Sequence, residues 1–242
     1  MINLIKYEWK RKGLYVIGLM IIVLLLNFGI YMRGYNPEKQ IVTLIFSNMG
    51  IFFAGFLTML IMHIRKIYNL LFTDEGPFTF LTPLNGYEIL GSNLLGALLD
   101  SVILLVFMGA ITVFNLQIND TQFIQEAVEM IKLSGVNVYE AIPGTLTTIF
   151  LNYSLLLITI YLSMILVKTL LYNIRFKKIL SFVVFLFMSR MNTFINNQFV
   201  YHDLPTNEFT FNYLALILLK TSLVFAVWYM ISGYLLEERV SA

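Results

Sequence analysis

The chain has 242 residues, of which 59% are hydrophobic and only 12% are charged, and its formal net charge is +2. A soluble domain contains about 25% charged residues, so this composition excludes an ordinary soluble domain and favours a protein embedded in a membrane. The chain contains no cysteine, which excludes disulfides and metal sites made of thiolates.

Long apolar runs divide the chain into predicted membrane spans. A run of about 18 or more residues with almost no charge predicts a transmembrane helix. Runs of this kind are too long and too uniformly apolar for the strands of a membrane barrel. We therefore predict an all-α membrane protein with six transmembrane helices, in a single transmembrane domain of residues 1–242. The predicted spans are residues 14–32, 41–64, 94–118, 145–167, 179–198 and 212–236.

Lysine and arginine are distributed unequally between the two sides of these spans. One side carries Lys6, Lys10, Arg11, Lys12, Arg65, Lys66, Lys168, Arg175, Lys177, Lys178 and Arg239. The other side carries only Arg33, Lys39 and Lys132 outside the spans. Because cytoplasmic loops of membrane proteins are enriched in these residues, we predict that both termini are cytoplasmic. Residues 119–144 and 199–211 are then extracellular segments.

The first residues combine an apolar and a basic face. Ile2, Ile5 and Trp9 recur at helical spacing among the lysines and the arginine. This pattern predicts that residues 1–13 form an amphipathic helix in the inner membrane interface, with the tryptophan at headgroup level. The alternative is an ordinary basic flank that only fixes the topology.

The connection of residues 65–93 is the largest predicted cytoplasmic segment, and its centre is rich in turn signals. Asp74 can cap a short helix, with Glu75 in its first turn, where negative charge is favourable. Gly76 and Pro77 follow early in that turn, where proline is tolerated. Pro83 then ends the element, because a residue that precedes proline disfavours helix.

Large apolar residues make this segment unlike a simple solvated loop. They are Phe78, Phe80, Leu81 and Leu84. Exposed apolar patches of this kind often mark docking sites, although a loop that rests on lipid is an alternative. The stretch that follows, Asn85 to Glu88, has the pattern of a capping box, which predicts a helix that runs directly into the third span.

Charged and polar residues inside the spans are candidates for function, because they are costly in a membrane. Arg190 and Asn192 belong to a polar cluster in the fifth span. This cluster either lines a cavity or pathway, or the fifth helix breaks near Ser189 and its polar half packs against protein. Asp100 lies about two turns into the third span, where a basic partner is plausible. Lys220 lies nearer the outer face and can snorkel outward.

The sequence lacks the common motifs of catalysis and nucleotide binding. It has no phosphate-binding glycine loop, no H-E-x-x-H and no G-x-S-x-G. His63 and His202 fall on opposite sides of the membrane in the predicted topology, so they cannot share a metal. We therefore expect no enzyme, no catalytic residue, and no metal or cofactor bound by this chain.

Three stretches resemble the membrane subunit of bacterial ATP-binding-cassette exporters, of the type-2 permease family. INLIKYEWKR is similar to the basic amphipathic start of that family. DEGPFTFLTPLNGYEILGSNLLGALL is similar to its acidic, turn-rich connection into the third span, and GYLLEERVSA to its ending. The length and the number of spans agree as well. The chain departs from the family at Asn93, where a lysine is usual, so no salt bridge is assigned to that position.

The resemblance implies a division of labour between subunits. Residues 74–84 would form a coupling helix that docks on a separate ATPase subunit, which holds the ATP and Mg. Two permease chains, identical or different, would assemble with two ATPases in the bacterial cytoplasmic membrane, with the first and fifth spans near the permease interface. We expect the lipid bilayer as a partner, and no nucleic acid.

The cargo and the alternatives follow from the spans. Their richness in Phe, Met and Leu favours an amphipathic or lipophilic cargo, such as an antimicrobial or toxic peptide or a drug. One alternative is a secondary transporter or channel that uses Arg190 and Asp100. Another is a non-transporting immunity or sensor subunit paired with an ATPase. An intramembrane enzyme would need a catalytic constellation at one depth, and the sequence contains none.

Overall fold

The computed structural model describes residues 2–33, 37–73, 85–119, 138–170, 176–200 and 211–240. These residues form six long helices, and no strand occurs among them. The helices are α1 (Ile2–Met32), α2 (Pro37–Phe72), α3 (Gly86–Asn119), α4 (Val138–Leu170), α5 (Lys177–Val200) and α6 (Phe211–Leu235). A single π-helical turn, Leu236–Val240, continues α6.

All 6 helices are long and apolar enough to cross a membrane. The predicted all-α architecture with six membrane-length helices is therefore confirmed. The helices extend beyond the predicted spans, most clearly at the connection of residues 65–93. There α2 continues to Phe72 and α3 already begins at Gly86. Arg65 and Lys66 lower the local hydropathy without ending the helix, because both residue types have high helix propensity.

Two points about helix continuity have different outcomes. Helix α5 is unbroken from Lys177 to Val200, which excludes the alternative in which the fifth helix breaks near Ser189. Helix α1 is one helix from Ile2 to Met32, and the interfacial position of residues 1–13 stays a prediction. The predicted coupling segment, residues 74–84, lies outside the described residues.

The helices divide into two compact units. The first, called here the α1–α3 unit, comprises Ile2–Met62 and Leu95–Asn137. The second, called the α4–α6 unit, comprises His63–Leu94 and Val138–Ala242. Each unit has its own packing.

An aliphatic face and a polar cluster hold the α1–α3 unit together. The buried aliphatic residues recur at intervals of three or four on α1 and on α3, the spacing of one helical face, and α2 contributes one residue. They are Val16, Leu19, Val23, Met59, Leu104, Met108 and Ile111. Where α1 meets α2, the Leu19 side chain packs directly on Gly55, because a Cβ atom on Gly55 would come within 2.7 Å of the Leu19 Cδ1 atom.

The polar cluster of this unit, called the asparagine network, joins three helices. The Asn27 Nδ2 group donates to Asn48 Oδ1 at 2.9 Å, and Asn48 Nδ2 donates back to Asn27 Oδ1 at 3.2 Å. The same Asn27 oxygen accepts a bond of 2.7 Å from Asn115 Nδ2. The Tyr31 hydroxyl donates to Asn115 Oδ1 at 2.9 Å. Because the three amides are buried, these bonds satisfy groups that lipid cannot satisfy.

Helix α4 is the central helix of the α4–α6 unit. It packs against both α5 and α6. Of the apolar membrane-length stretch of α4, 67% is buried, against 11% of the corresponding stretch of α5 and 17% of that of α6. The fully buried side chains of α4 include Leu157, Ile158, Tyr161 and Ile165. The other two helices therefore leave most of their apolar surface exposed on a single chain.

Candidate functional site

The described residues include the helix ends on both sides of the predicted coupling segment, residues 74–84. Helix α2 ends at Phe72, just before it, and Asn85 precedes α3, just after it. Both flanking helix ends belong to the α4–α6 unit. What holds these two ends determines how motion of the segment would reach the membrane helices.

Just after residues 74–84, a capping box formed by Asn85 and Glu88 begins α3. The Asn85 Oδ1 atom accepts a hydrogen bond of 2.8 Å from the Glu88 backbone N–H. In return, the Glu88 Oε2 atom accepts one of 3.2 Å from the Asn85 backbone N–H. This reciprocal pair satisfies two donors that a helix start leaves free, so the predicted capping box is confirmed.

The start of α3 also lies directly against the end of α6. A Cβ atom on Gly86 would come within 2.7 Å of the Gly233 carbonyl oxygen and 2.8 Å of the Glu237 backbone nitrogen. On the other side, the Tyr87 ring occupies the space where a Cβ atom on Gly233 would stand. Only glycine fits at both positions without displacing its neighbours. We call this contact the α3–α6 junction.

Aromatic side chains extend the junction along α6. The Tyr229 hydroxyl donates to the Tyr87 carbonyl oxygen at 2.8 Å. The rings of these two tyrosines lie 6.2 Å apart, and the Tyr229 ring stacks on Phe225 at 6.1 Å. The hydrogen bond gives the buried part of the junction a directional contact as well as an apolar one.

Just before residues 74–84, lysines surround the aromatic residues at the end of α2. The Lys168 Nζ atom lies 6.0 Å from the centre of the Phe72 ring, and the Lys177 Nζ atom lies 5.7 Å from it. The Lys178 Nζ atom lies 5.0 Å from the centre of the Tyr68 ring. We call these five residues the lysine–aromatic cluster. It connects the end of α2 to the end of α4 and the start of α5, through contacts of about 0.5–2 kcal/mol each.

Asn192, one of the predicted intramembrane residues, links three helices. Its Oδ1 atom accepts a hydrogen bond of 2.8 Å from the Trp228 indole N–H. Its Nδ2 group donates to the Thr159 hydroxyl at 3.0 Å. Asn192 therefore ties α5 to α4 and α6, with both ends of its amide engaged.

The other predicted intramembrane residues lie in different settings. Arg190 is exposed on α5, and Lys220 is half-buried on α6, both in the α4–α6 unit. Asp100 is buried on α3, in the α1–α3 unit. Within the ranges that the structure describes, no group of three His, Asp or Glu side chains is arranged to hold a metal ion.

Asn93, where the sequence departs from the family pattern, is buried on α3. Its side chain is only 3% exposed. Its Oδ1 atom has no hydrogen-bond partner among the described residues. A lysine at such a depth would need a buried counter-charge, so the neutral amide is the less costly side chain here.

Sequence reasoning missed the α3–α6 junction and the lysine–aromatic cluster. One signal pointed to the junction: Gly233 lies in an apolar span, and small residues in such spans are typical of close helix contacts. In the sequence these lysines indicate only the membrane topology, because the aromatic rings that they contact lie on another helix.

Comparisons with known proteins add no family to this geometry. No protein-family model, no curated protein and no solved structure matches the chain. The resemblance of its motifs to the exporter family therefore stays a prediction.

Proposed function

We propose that the chain is the permease subunit of an ATP-driven exporter of the ATP-binding-cassette type. In this proposal residues 74–84 dock on a separate ATPase subunit, and both ends of the chain lie in the cytoplasm of a bacterium. The observation that carries the proposal is that both helix ends next to residues 74–84 are held by specific contacts within the α4–α6 unit.

These contacts are suited to transmitting motion. The lysine–aromatic cluster joins the end of α2 to α4 and α5, and the α3–α6 junction joins the start of α3 to α6. A displacement of residues 74–84 would therefore move packed helices rather than be absorbed in slack loops. Small shifts at one site become larger helix movements when the intervening contacts are rigid.

The energy source is inferred from the sequence. The chain has no phosphate-binding glycine loop, so an ATP-driven process needs a partner that holds the nucleotide. Differential binding of that partner to two states of the permease would shift the permease between them. ATP and Mg then belong to the partner subunit.

A second permease chain is part of the proposal, and the exposed face of α5 supports it. Arg190 lies about 20 Å along this helix, so its exposed charge would face the apolar part of a bilayer. Contact of a charged side chain with lipid costs several kcal/mol, about 2.5–3.5 by insertion measurements. A second copy packed over this face would shield Arg190 together with the exposed Phe187 and Phe194.

The docking of an ATPase is tested by removing the apolar side chains of the segment. We expect that Phe78→Asp with Phe80→Asp abolishes co-purification of the ATPase subunit and its stimulation in nanodiscs. The matched control is Phe123→Asp with Phe209→Asp, which places the same charges in the two predicted extracellular segments. Intact stimulation in the first double variant would refute the docking site.

Transport is tested separately in proteoliposomes that contain the chain with and without the ATPase. We expect movement of an amphipathic peptide or drug only with both subunits and ATP. Movement by the chain alone would refute the proposal in favour of a secondary transporter or channel. A complex that hydrolyses ATP but moves none of the cargoes tested would favour the sensor or immunity subunit.

A further inference from the structure

Two hydroxyl groups in the α4–α6 unit are fully buried and have no hydrogen-bond partner among the described residues. They belong to Tyr161 on α4 and Ser232 on α6, and both side chains are 0% exposed. The other buried serines of the described helices each donate to a carbonyl oxygen of their own helix. They are Ser92, Ser101, Ser154, Ser163 and Ser181. The Ser232 hydroxyl departs from this pattern. A buried hydroxyl without a partner costs free energy, above all inside a membrane.

The two hydroxyls lie at nearly the same level of helices that pack on each other. Asn192 sets that level, because its two hydrogen bonds, called here the Asn192 bridge, reach Thr159 on α4 and Trp228 on α6. Tyr161 lies two residues beyond Thr159, or about 3 Å along the axis. Ser232 lies four residues beyond Trp228, or about 6 Å. Because one spanning helix separates α4 from α6, the two run in the same direction, and both hydroxyls lie on the same side of the bridge.

The contacts of α6 on this side of the Asn192 bridge differ from one neighbour to the other. Toward α3, the backbone of Gly233 lies against Gly86, and the Tyr229 hydroxyl donates to the Tyr87 carbonyl oxygen at 2.8 Å. Toward α4, Ser232 lies one helical turn beyond Trp228, on the face that carries the bridge. Its hydroxyl forms no bond there with any described residue. Helix α6 is therefore joined to α3 by specific contacts at a level where its hydroxyl adds none toward α4.

We propose that the end of α6 separates from α4 in a minor conformation of the unit and admits water to Tyr161 and Ser232. The Asn192 bridge is the pivot of this motion, and the α3–α6 junction stays closed and moves with α6. Hydration of the two hydroxyls recovers the free energy that their burial costs, which reduces the difference between the closed and the open conformation. The opening is a property of this chain alone and does not depend on an ATPase partner.

The test uses single cysteines, since the chain contains none. The full-length variant Ser232→Cys in nanodiscs is treated with a hydrophilic methanethiosulfonate reagent, and its modification is followed by intact mass. The control is Leu90→Cys, which is 1% exposed and lies one turn after Gly86 on the α3 face that meets α6. We expect Ser232→Cys to react about tenfold faster than Leu90→Cys, because a minor open conformation exposes only the first.

A second hydroxyl variant separates this opening from general loosening of the unit. In the Ser232→Cys protein, Tyr161→Phe should slow the modification about fivefold, because the open conformation then gains less from hydration. The matched control is Ser154→Ala on the same helix. It removes a hydroxyl that donates to the Phe150 carbonyl oxygen at 2.8 Å, and it should leave the rate unchanged.

Three results would overturn the proposal. They are equal rates for Ser232→Cys and Leu90→Cys, a rate that Tyr161→Phe does not change, and a rate that Ser154→Ala slows as much as Tyr161→Phe does. Thermal melting gives an independent measurement. Tyr161→Phe in the otherwise unaltered chain should melt no lower than the wild type, because it removes a hydroxyl that has no partner in the closed unit. A lower melting temperature would show that this hydroxyl is paired, which also contradicts the proposal.

Discussion

The two units differ in the contacts that hold their helices together, although Asn192 also links helices of the α4–α6 unit by hydrogen bonds. In the α1–α3 unit, buried amides exchange hydrogen bonds. Asn27 bonds to one residue on each of the two other helices, Asn48 and Asn115. In the α4–α6 unit, backbones meet at glycine, and aromatic rings surround the contact at Gly86 and Gly233. Hydrogen bonds fix the rotation of helices at a given spacing, whereas glycine contacts fix how closely the helices approach.

The difference matters because only one of these arrangements flanks the predicted coupling segment. Gly86 and Asn85 lie immediately after residues 74–84, and Phe72 lies shortly before them. We therefore expect changes in the α3–α6 junction to impair both stability and any stimulation of an ATPase. Changes in the asparagine network should affect stability alone.

The largest effect is expected from Gly86→Leu. The new side chain would meet the backbone of Gly233 and Glu237, which cannot move aside as a flexible side chain can. We expect a loss of about 3 kcal/mol in the free energy of unfolding, measured by denaturation with sodium dodecyl sulfate in mixed micelles. The matched control is Gly109→Leu on the same helix, where nothing lies within 4 Å of the added Cβ. Equal stability of the two variants would show that the junction is not tightly packed.

A smaller effect is expected from Asn27→Leu in the α1–α3 unit. This change leaves the amides of Asn48 and Asn115 buried without their shared partner, at a cost of about 2 kcal/mol. Adding Asn48→Leu, Asn115→Leu and Tyr31→Phe should recover much of the loss, because no unsatisfied polar group then remains in the network. Unfolding in the same micelles measures both variants. A combined variant less stable than the single one would contradict this account of the network.

The smallest effect is expected from Asn85→Ala at the start of α3. Loss of the capping side chain should cost about 1 kcal/mol and leave the Glu88 backbone N–H without its acceptor. Asn85→Ser is the control, since serine caps helices about as well as asparagine. If alanine and serine give the same stability and the same ATPase stimulation, the cap does not contribute to holding the end of the segment.

Patterns within single helices were predictable from the sequence. The capping box was recognised because Asn85 and Glu88 are three residues apart and bond to each other. The end of α2 was placed too early, because Arg65 and Lys66 interrupt the hydropathy but not the helix. A break in α5 was one of two alternatives for the polar cluster of the fifth span, because the partners that satisfy Asn192, Thr159 and Trp228, lie on other helices and are not visible in the sequence.

The sequence by itself determined that the chain forms six membrane-length helices and where α3 starts. Hydropathy and capping depend on residues that are neighbours along the chain, so they can be read without knowing the fold. Only the tertiary structure decided which residues of different helices meet, such as Asn27 with Asn115 or Gly86 with Gly233. These pairings depend on the rotation and spacing of whole helices, and similar apolar surfaces on every side leave both undetermined by local sequence.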